Sequence, residues 1–148
     1  MLNRLQVVFE SLEKKEVKYL VIGGIAAVLH GVPRATFDLD ILIEASSENA
    51  TRLLEALENA GLGTASLITP ESLLMNEITV FEDRVRIDAQ TRTPGISFEQ
   101  AWQRREEMQY NNQRFYVVSR QDLIDSKRAA GRSVDLDDVR LLELKEDT

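Results

Sequence analysis

The sequence predicts a mixed α/β or α+β domain with helices around a single sheet. Three observations lead there. Apolar runs of strand length alternate with amphipathic stretches whose apolar residues recur every three to four positions. Most of those stretches open on Ser or Thr or close on Gly, as bounded helices do. No repeat, linker or low-complexity tract divides the 148 residues, so residues 1–148 are expected to form one domain, with C-terminal helices from about residue 119.

Taken in order, Leu2 to Lys15 carries Leu5, Val8, Phe9 and Leu12 on one helical stripe. Lys18–Ile22 reads as a buried strand ending at Gly23-Gly24. Ile25 to His30 is a small-residue helix, stopped by Gly31 and then Pro33. After a loop over 32–37, a second strand opens with Asp38 and Asp40 and runs through Ile41, Leu42 and Ile43. Ser47-Glu48 begins an amphipathic helix that ends at Gly61. Thr69-Pro70-Glu71 begins a short one, with proline at the first helical position.

Ile78–Glu82 and Arg84–Gln90 form a hairpin turning near Glu82-Asp83, with Asp88 on the polar side of the second arm. Ser97-Phe-Glu-Gln100 fits a capping box and launches a helix through Trp102 to about Glu107. A second hairpin, Met108–Tyr110 with Arg114–Val118, turns at Asn111-Asn112. Ser119 starts a helix that reaches Gly131, and a last helix covers about Val134 to Lys145.

Composition narrows the chemistry. With no cysteine, disulfides, zinc–thiolate sites and cysteine nucleophiles are excluded. A single histidine, His30, argues against a Ser–His–Asp triad or a multi-histidine metal site, and His30 is expected to pack or cap at its helix end. The net charge of −7 argues against general affinity for nucleic acid, though not against a nucleotide carried with metal ions. No stretch approaches a membrane span and the charged N-terminus does not read as a signal peptide, so a cytoplasmic protein with no membrane partner is expected.

Carboxylates, Lys and Arg must therefore carry any reaction. Asp38 and Asp40 are two apart on a strand, so their side chains share a face roughly 6–7 Å apart. Such a pair suits a hard divalent cation holding a phosphorylated ligand. The alternative is a pair of solvated surface carboxylates. Gly23-Gly24 can serve as a tight turn, or can present backbone N–H groups to phosphate oxygens at a helix start. The spacing G-G-x(13)-D-x-D is the most specific signal in the chain.

Gly23-Gly24, His30-Gly31, Arg34, Thr36 and Asp38-Leu39-Asp40 resemble the signature of the nucleotidyltransferase superfamily typified by DNA polymerase β. The fuller pattern GGxAxxxHGxxRxTxDxD is most similar to the AbiEii-type toxin branch and to minimal nucleotidyltransferases. Ser119 to Lys127, Arg132 and Asp135-Leu-Asp-Asp138 resemble the family's Lys-containing helix and following Asp motif, at a shorter Lys-to-Asp interval.

The resemblance implies a nucleotidyltransferase-like fold and a metal site of Asp38, Asp40 and a third carboxylate from a neighbouring strand. Asp88 is the candidate; its alternative is a partner for Arg86 on a solvated face. The implied cofactor is Mg²⁺, with Mn²⁺ as substitute. Gly23, Gly24, Arg34 and Thr36 would touch the nucleotide, although Arg34 and Thr36 also suit plain loop hydrogen bonding. Lys127 falls on the apolar face of its helix, so its ammonium faces an anion such as a triphosphate, or else its stem covers the core and the ammonium reaches solvent. Asp135 and Asp138 share a helix face, where acids also suit the dipole of a first turn.

The expected reaction moves a nucleoside monophosphate from a nucleoside triphosphate to an acceptor hydroxyl, on a tRNA 3′ end or on a partner protein, in a toxin–antitoxin or phage-defence setting. Asp38, Asp40, Asp88 and Lys127 would carry it. The small size and acidic surface suit a protein acceptor better; oligomerisation is left open. One rival is a nucleotide- or partner-binding module of the same fold without catalysis. A second is a D-x-D glycosyltransferase, for which the chain is short.

Overall fold

The computed structural model describes residues 2–146. Its centre is one six-stranded mixed sheet in the order β3-β4-β2-β1-β6-β5. The strands are β1 Tyr19–Ile22, β2 Leu39–Ile43, β3 Ile78–Glu82, β4 Arg86–Gln90, β5 Glu106–Tyr110 and β6 Gln113–Val117. The helices are α1 Leu2–Lys14, α2 Gly23–Leu29, α3 Ser47–Asn59, α4 Pro70–Met75, α5 Phe98–Gln103, α6 Arg120–Ala130 and α7 Ser133–Glu146, with a 3-10 turn over Gly63–Leu67. The expected mixed sheet flanked by helices is the fold found.

Burial explains the strand order. All four residues of β1 are buried, and in β2 only Asp40 is not fully so, because helices cover both sides of the centre. The outer strands β3 and β5 expose most of their side chains, and β4 alternates strictly between buried Ile87 and Ala89 and partly exposed Arg86, Asp88 and Gln90. That alternation is the mark of a strand with one face on the core. Leu5, Phe9 and Leu12 of α1 lie in the core, where the Phe9 ring stacks on Phe115 of β6 at 4.5 Å. Among the described residues no helix is long and apolar enough to cross a membrane.

The caps are as the side chains dictate. Thr69, Ser97 and Ser119 each accept a hydrogen bond from the backbone N–H three residues on, at the starts of α4, α5 and α6. The start of α3 belongs to Ser46, one residue before the expected Ser47. Gly131 ends α6 in the left-handed conformation. Asn111 and Asn112, at φ 51° and 67°, form the two-residue turn between β5 and β6 that matches the strands' twist.

Several boundaries depart from expectation, among them β2, which starts at Leu39 and not at Asp38. The glycine pair does not precede α2 but forms its first turn, with Gly23 at φ +68°. Helix α5 stops at Gln103, not near Glu107, because Glu106 and Glu107 pair with Val117 and Tyr116 in β5. Strand β4 starts at Arg86 rather than Arg84.

Candidate functional site

The site grows from strand register. Strands β2 and β4 run parallel with Asp40 opposite Asp88, so both carboxylates leave the same face of the sheet. The same row continues to Val80 on β3 and to Ile22 on β1. Since Ile22 is the last residue of β1, the glycine start of α2 arrives beside Asp40. Asp38 stands one residue before β2, and its side chain is 53% exposed. The cost of burying a charge therefore bears on Asp40, not on both members of the D-x-D pair.

Around Asp40 the packing is close. A Cβ on Gly23 would run into its Oδ2 and lie 3.0 Å from its Cβ and Cγ, so a side chain is excluded there by space as well as by the positive φ. A Cβ on Gly24 would lie 2.8 Å from Thr36 Oγ1 and 3.2 Å from Arg34 Nη2. The expected nucleotide-binding set Gly23, Gly24, Arg34 and Thr36 is thus gathered at one corner of the sheet. Burial, then the charges of Asp88 and Asp38, push the Asp40 carboxyl up to about 6, against the pull of Lys127 and Arg86.

Asp88 is engaged. Arg86, two residues earlier on the same face, donates to it from Nε at 3.0 Å and Nη2 at 3.4 Å, and its Nε lies 3.8 Å from Asp38 Oδ2. The expected alternative, a partner for Arg86, is therefore present, on a residue that is also the strand neighbour of Asp40. The Asp88 hydrogen bond, then its charge, holds the Arg86 guanidinium above its ordinary range.

Lys127 reaches neither the core surface nor open solvent. Its buried ammonium lies 2.9 Å from Asp138 and 3.5 Å from Asp135. Asp138 also accepts a bidentate pair from Arg34, at 3.1 and 2.8 Å, and Asp135 accepts from Arg132 Nε at 2.7 Å and Nη2 at 3.1 Å. Burial raises Asp135, but Arg132 and Lys127 outweigh it and leave the carboxyl below its usual range. Asp135 and Asp138, each 1% exposed, are thus buried counter-ions, and Asp135 also sits in the first turn of α7, where an acid suits the helix dipole. Their spacing of three on one helix face was the signal; the cations they meet come from α6, from the connector residue Arg132 and from the distant loop of Arg34.

A cavity of about 470 Å³ joins these groups. Asp38, Asp40 and Asp88 line it together with Gly23, while α6 contributes Lys127, the connector after it Arg132, and α7 Asp135. Glu77, Gln90 and Thr93 also line it and were not singled out from sequence. His30 lies elsewhere, with Nε2 2.8 Å from the Val118 carbonyl, in the packing role expected of it.

The donor set fits a hard divalent cation: three carboxylates, of which Asp40 has no hydrogen bond among the described residues and borders the glycine cradle. Among the described residues no three acidic or imidazole groups converge on one ion, since Asp88 faces Arg86.

Residues 3–147 match the model of a family described as "Nucleotidyltransferase of unknown function (DUF6036)". No curated protein matches the chain.

Proposed function

The chain belongs to that nucleotidyltransferase family, and from this membership we propose that it transfers a nucleoside monophosphate from a nucleoside triphosphate to an acceptor hydroxyl, with Asp38, Asp40 and Asp88 at the reacting phosphate. The observation that carries the reading is the register of Asp40 with Asp88 beside a glycine that admits no side chain. Two carboxylates and a bare backbone then face one cavity, which suits a polyphosphate and its cation.

Each group has a task. Gly23 and Gly24 leave the phosphates free to approach the backbone at the start of α2. Asp38, Asp40 and Asp88 would hold Mg²⁺ or Mn²⁺, which supplies positive charge for the attacking and leaving oxygens of an in-line displacement. Asp88 accepts the proton of the acceptor hydroxyl. Lys127 and Arg132 line the same cavity and would face the departing pyrophosphate, with Asp135 and Asp138 offsetting part of their charge. Asp135 and Asp138 keep Lys127 in position, and Asp138 does the same for Arg34 and so for the loop that carries Thr36 and Asp38.

The likeness of the Gly23 to Asp40 motif to AbiEii-type toxins supports a role in a toxin–antitoxin or phage-defence pair, acting in the cytoplasm where triphosphates are made. The test is direct. Purified protein is given Mg²⁺ or Mn²⁺, each labelled nucleoside triphosphate in turn, and total tRNA or a cell extract. Label should pass to RNA or to protein, and Asp38→Asn and Asp40→Asn should each abolish transfer while keeping the fold. Undiminished transfer by both variants would refute the mechanism. Cation-dependent triphosphate binding with no transfer to any acceptor would favour the non-catalytic module.

A further inference from the structure

The active-site cavity does not end at Asp38. That residue also lines a smaller cavity with Phe37, Arg4 and Arg86, and Arg4 and Val85 in turn line a third, of about 450 Å³, bounded by Arg84 and Gly61. Through these shared residues the three form a succession of neighbouring cavities, from the aspartates past α1 to the end of α3.

Its charge is the reverse of the molecule's. The chain carries 25 acidic residues against 18 basic and a net charge of −7. The two outer cavities nevertheless expose Arg4, Arg84 and Arg86, with Asp38 as their sole carboxylate. Arg4 has no ion pair among the described residues, and Arg84 meets only the Ala60 carbonyl, at 3.4 Å. Gly61 makes room for it: at φ +93°, a Cβ there would lie 2.6 Å from Arg84 Nη2. Phe37, next to Asp38 in the chain and 79% exposed, lines the smaller cavity with Arg4 and Arg86.

Two arginines, Arg4 and Arg84, with no ion pair among the described residues, an exposed aromatic in the neighbouring lining, and cavities that lead to carboxylates read as a phosphate-transfer centre together describe one ligand. We propose that this groove binds a single-stranded polynucleotide, with backbone phosphates on Arg4 and Arg84 and a base stacked on Phe37, so that the terminal hydroxyl reaches Asp38, Asp40 and Asp88. Stacking on an aromatic with a basic track is the general means of holding single strands. The inference rests on the nucleotidyl-transfer reading of the site and supplies its acceptor. An acidic peptide would use the arginines but has no base for Phe37.

The test uses the full chain and a fluorescein-labelled ten-nucleotide RNA with a free 3′ hydroxyl, followed by anisotropy across a salt series. Phe37→Ala should weaken binding about fivefold or more. Arg4→Glu and Arg84→Glu should each weaken it and reduce the slope of log affinity against log salt by about 0.7. All three variants should keep cation-dependent triphosphate binding, which shows that they fold. Binding that survives Asp38→Asn but fails in Arg4→Glu supports the groove even where no transfer is seen. Label transfer to extract proteins with no RNA binding overturns the groove and leaves the transfer reading standing. Equal RNA affinity in wild type and all three groove variants also overturns it.

Discussion

Replacing Asp40 by asparagine should remove the reaction and strengthen the fold. The carboxyl sits at about 6 because burial and the charges of Asp88 and Asp38 oppose its ionisation. A rise of about two units from its ordinary value, at about 1.36 kcal/mol per unit, makes the charged form about 3 kcal/mol worse in the folded protein than in the unfolded chain. Asparagine keeps the shape without the charge, so Asp40→Asn should gain about 1–3 kcal/mol at neutral pH. For a chain of this length that is a rise of several degrees in Tm, at about 2–4 °C per kcal/mol.

The sign follows from proton binding. The folded state holds this proton more tightly than the unfolded state, so the contribution of Asp40 to stability is greatest below about 4. It falls as pH rises toward 6 and is gone above it. Thermal unfolding of cation-free wild type and Asp40→Asn between pH 4 and 8 reads the difference, which should grow through that window and then level off. A difference independent of pH, or a variant less stable than wild type at pH 7.5, would refute the reasoning. Mg²⁺ should raise the Tm of wild type and not of the variant.

Three further outcomes are expected. Asp138→Ala leaves Lys127 buried without its nearest counter-ion and frees Arg34, so urea unfolding should show a loss of about 3–5 kcal/mol. Gly23→Ala meets both the positive φ and the Asp40 carboxylate, and should lose about 1–3 kcal/mol and most cation-dependent nucleotide binding by calorimetry. Asn112→Gly at φ 67° relieves a left-handed asparagine in the β5–β6 turn and should raise Tm by about 1–2 °C; a fall would contradict the turn assignment.

The parts of this molecule that were legible in its sequence are those governed by local chemistry. Caps at Thr69, Ser97 and Ser119, the asparagine turn and the alternation around Asp88 each depend on a few adjacent residues. The gathering of Asp40 with Asp88 could be anticipated because a strand pattern assigns faces before it assigns neighbours. The counter-ions of Lys127 were only half legible: the spacing of three puts Asp135 and Asp138 on one face of α7, but that this face meets Lys127 and Arg34 is decided by tertiary packing. Helix α5 illustrates the same limit. Glu106 and Glu107 suit a helix as well as a strand, and pairing with β6 decided the matter.

The bidentate bond between Arg34 and Asp138 joins residues 104 positions apart. A loop of that size closes only after shorter-range hairpins and helix pairs have formed, since its entropy loss is repaid by few contacts of its own. The corner holding Gly24 and Thr36 should therefore acquire its final shape late in folding, after the hairpins β3–β4 and β5–β6. Disturbing that bond should leave the refolding rate almost unchanged and speed unfolding instead, so the residues that aim the loop govern how long a native molecule lasts more than how fast it forms.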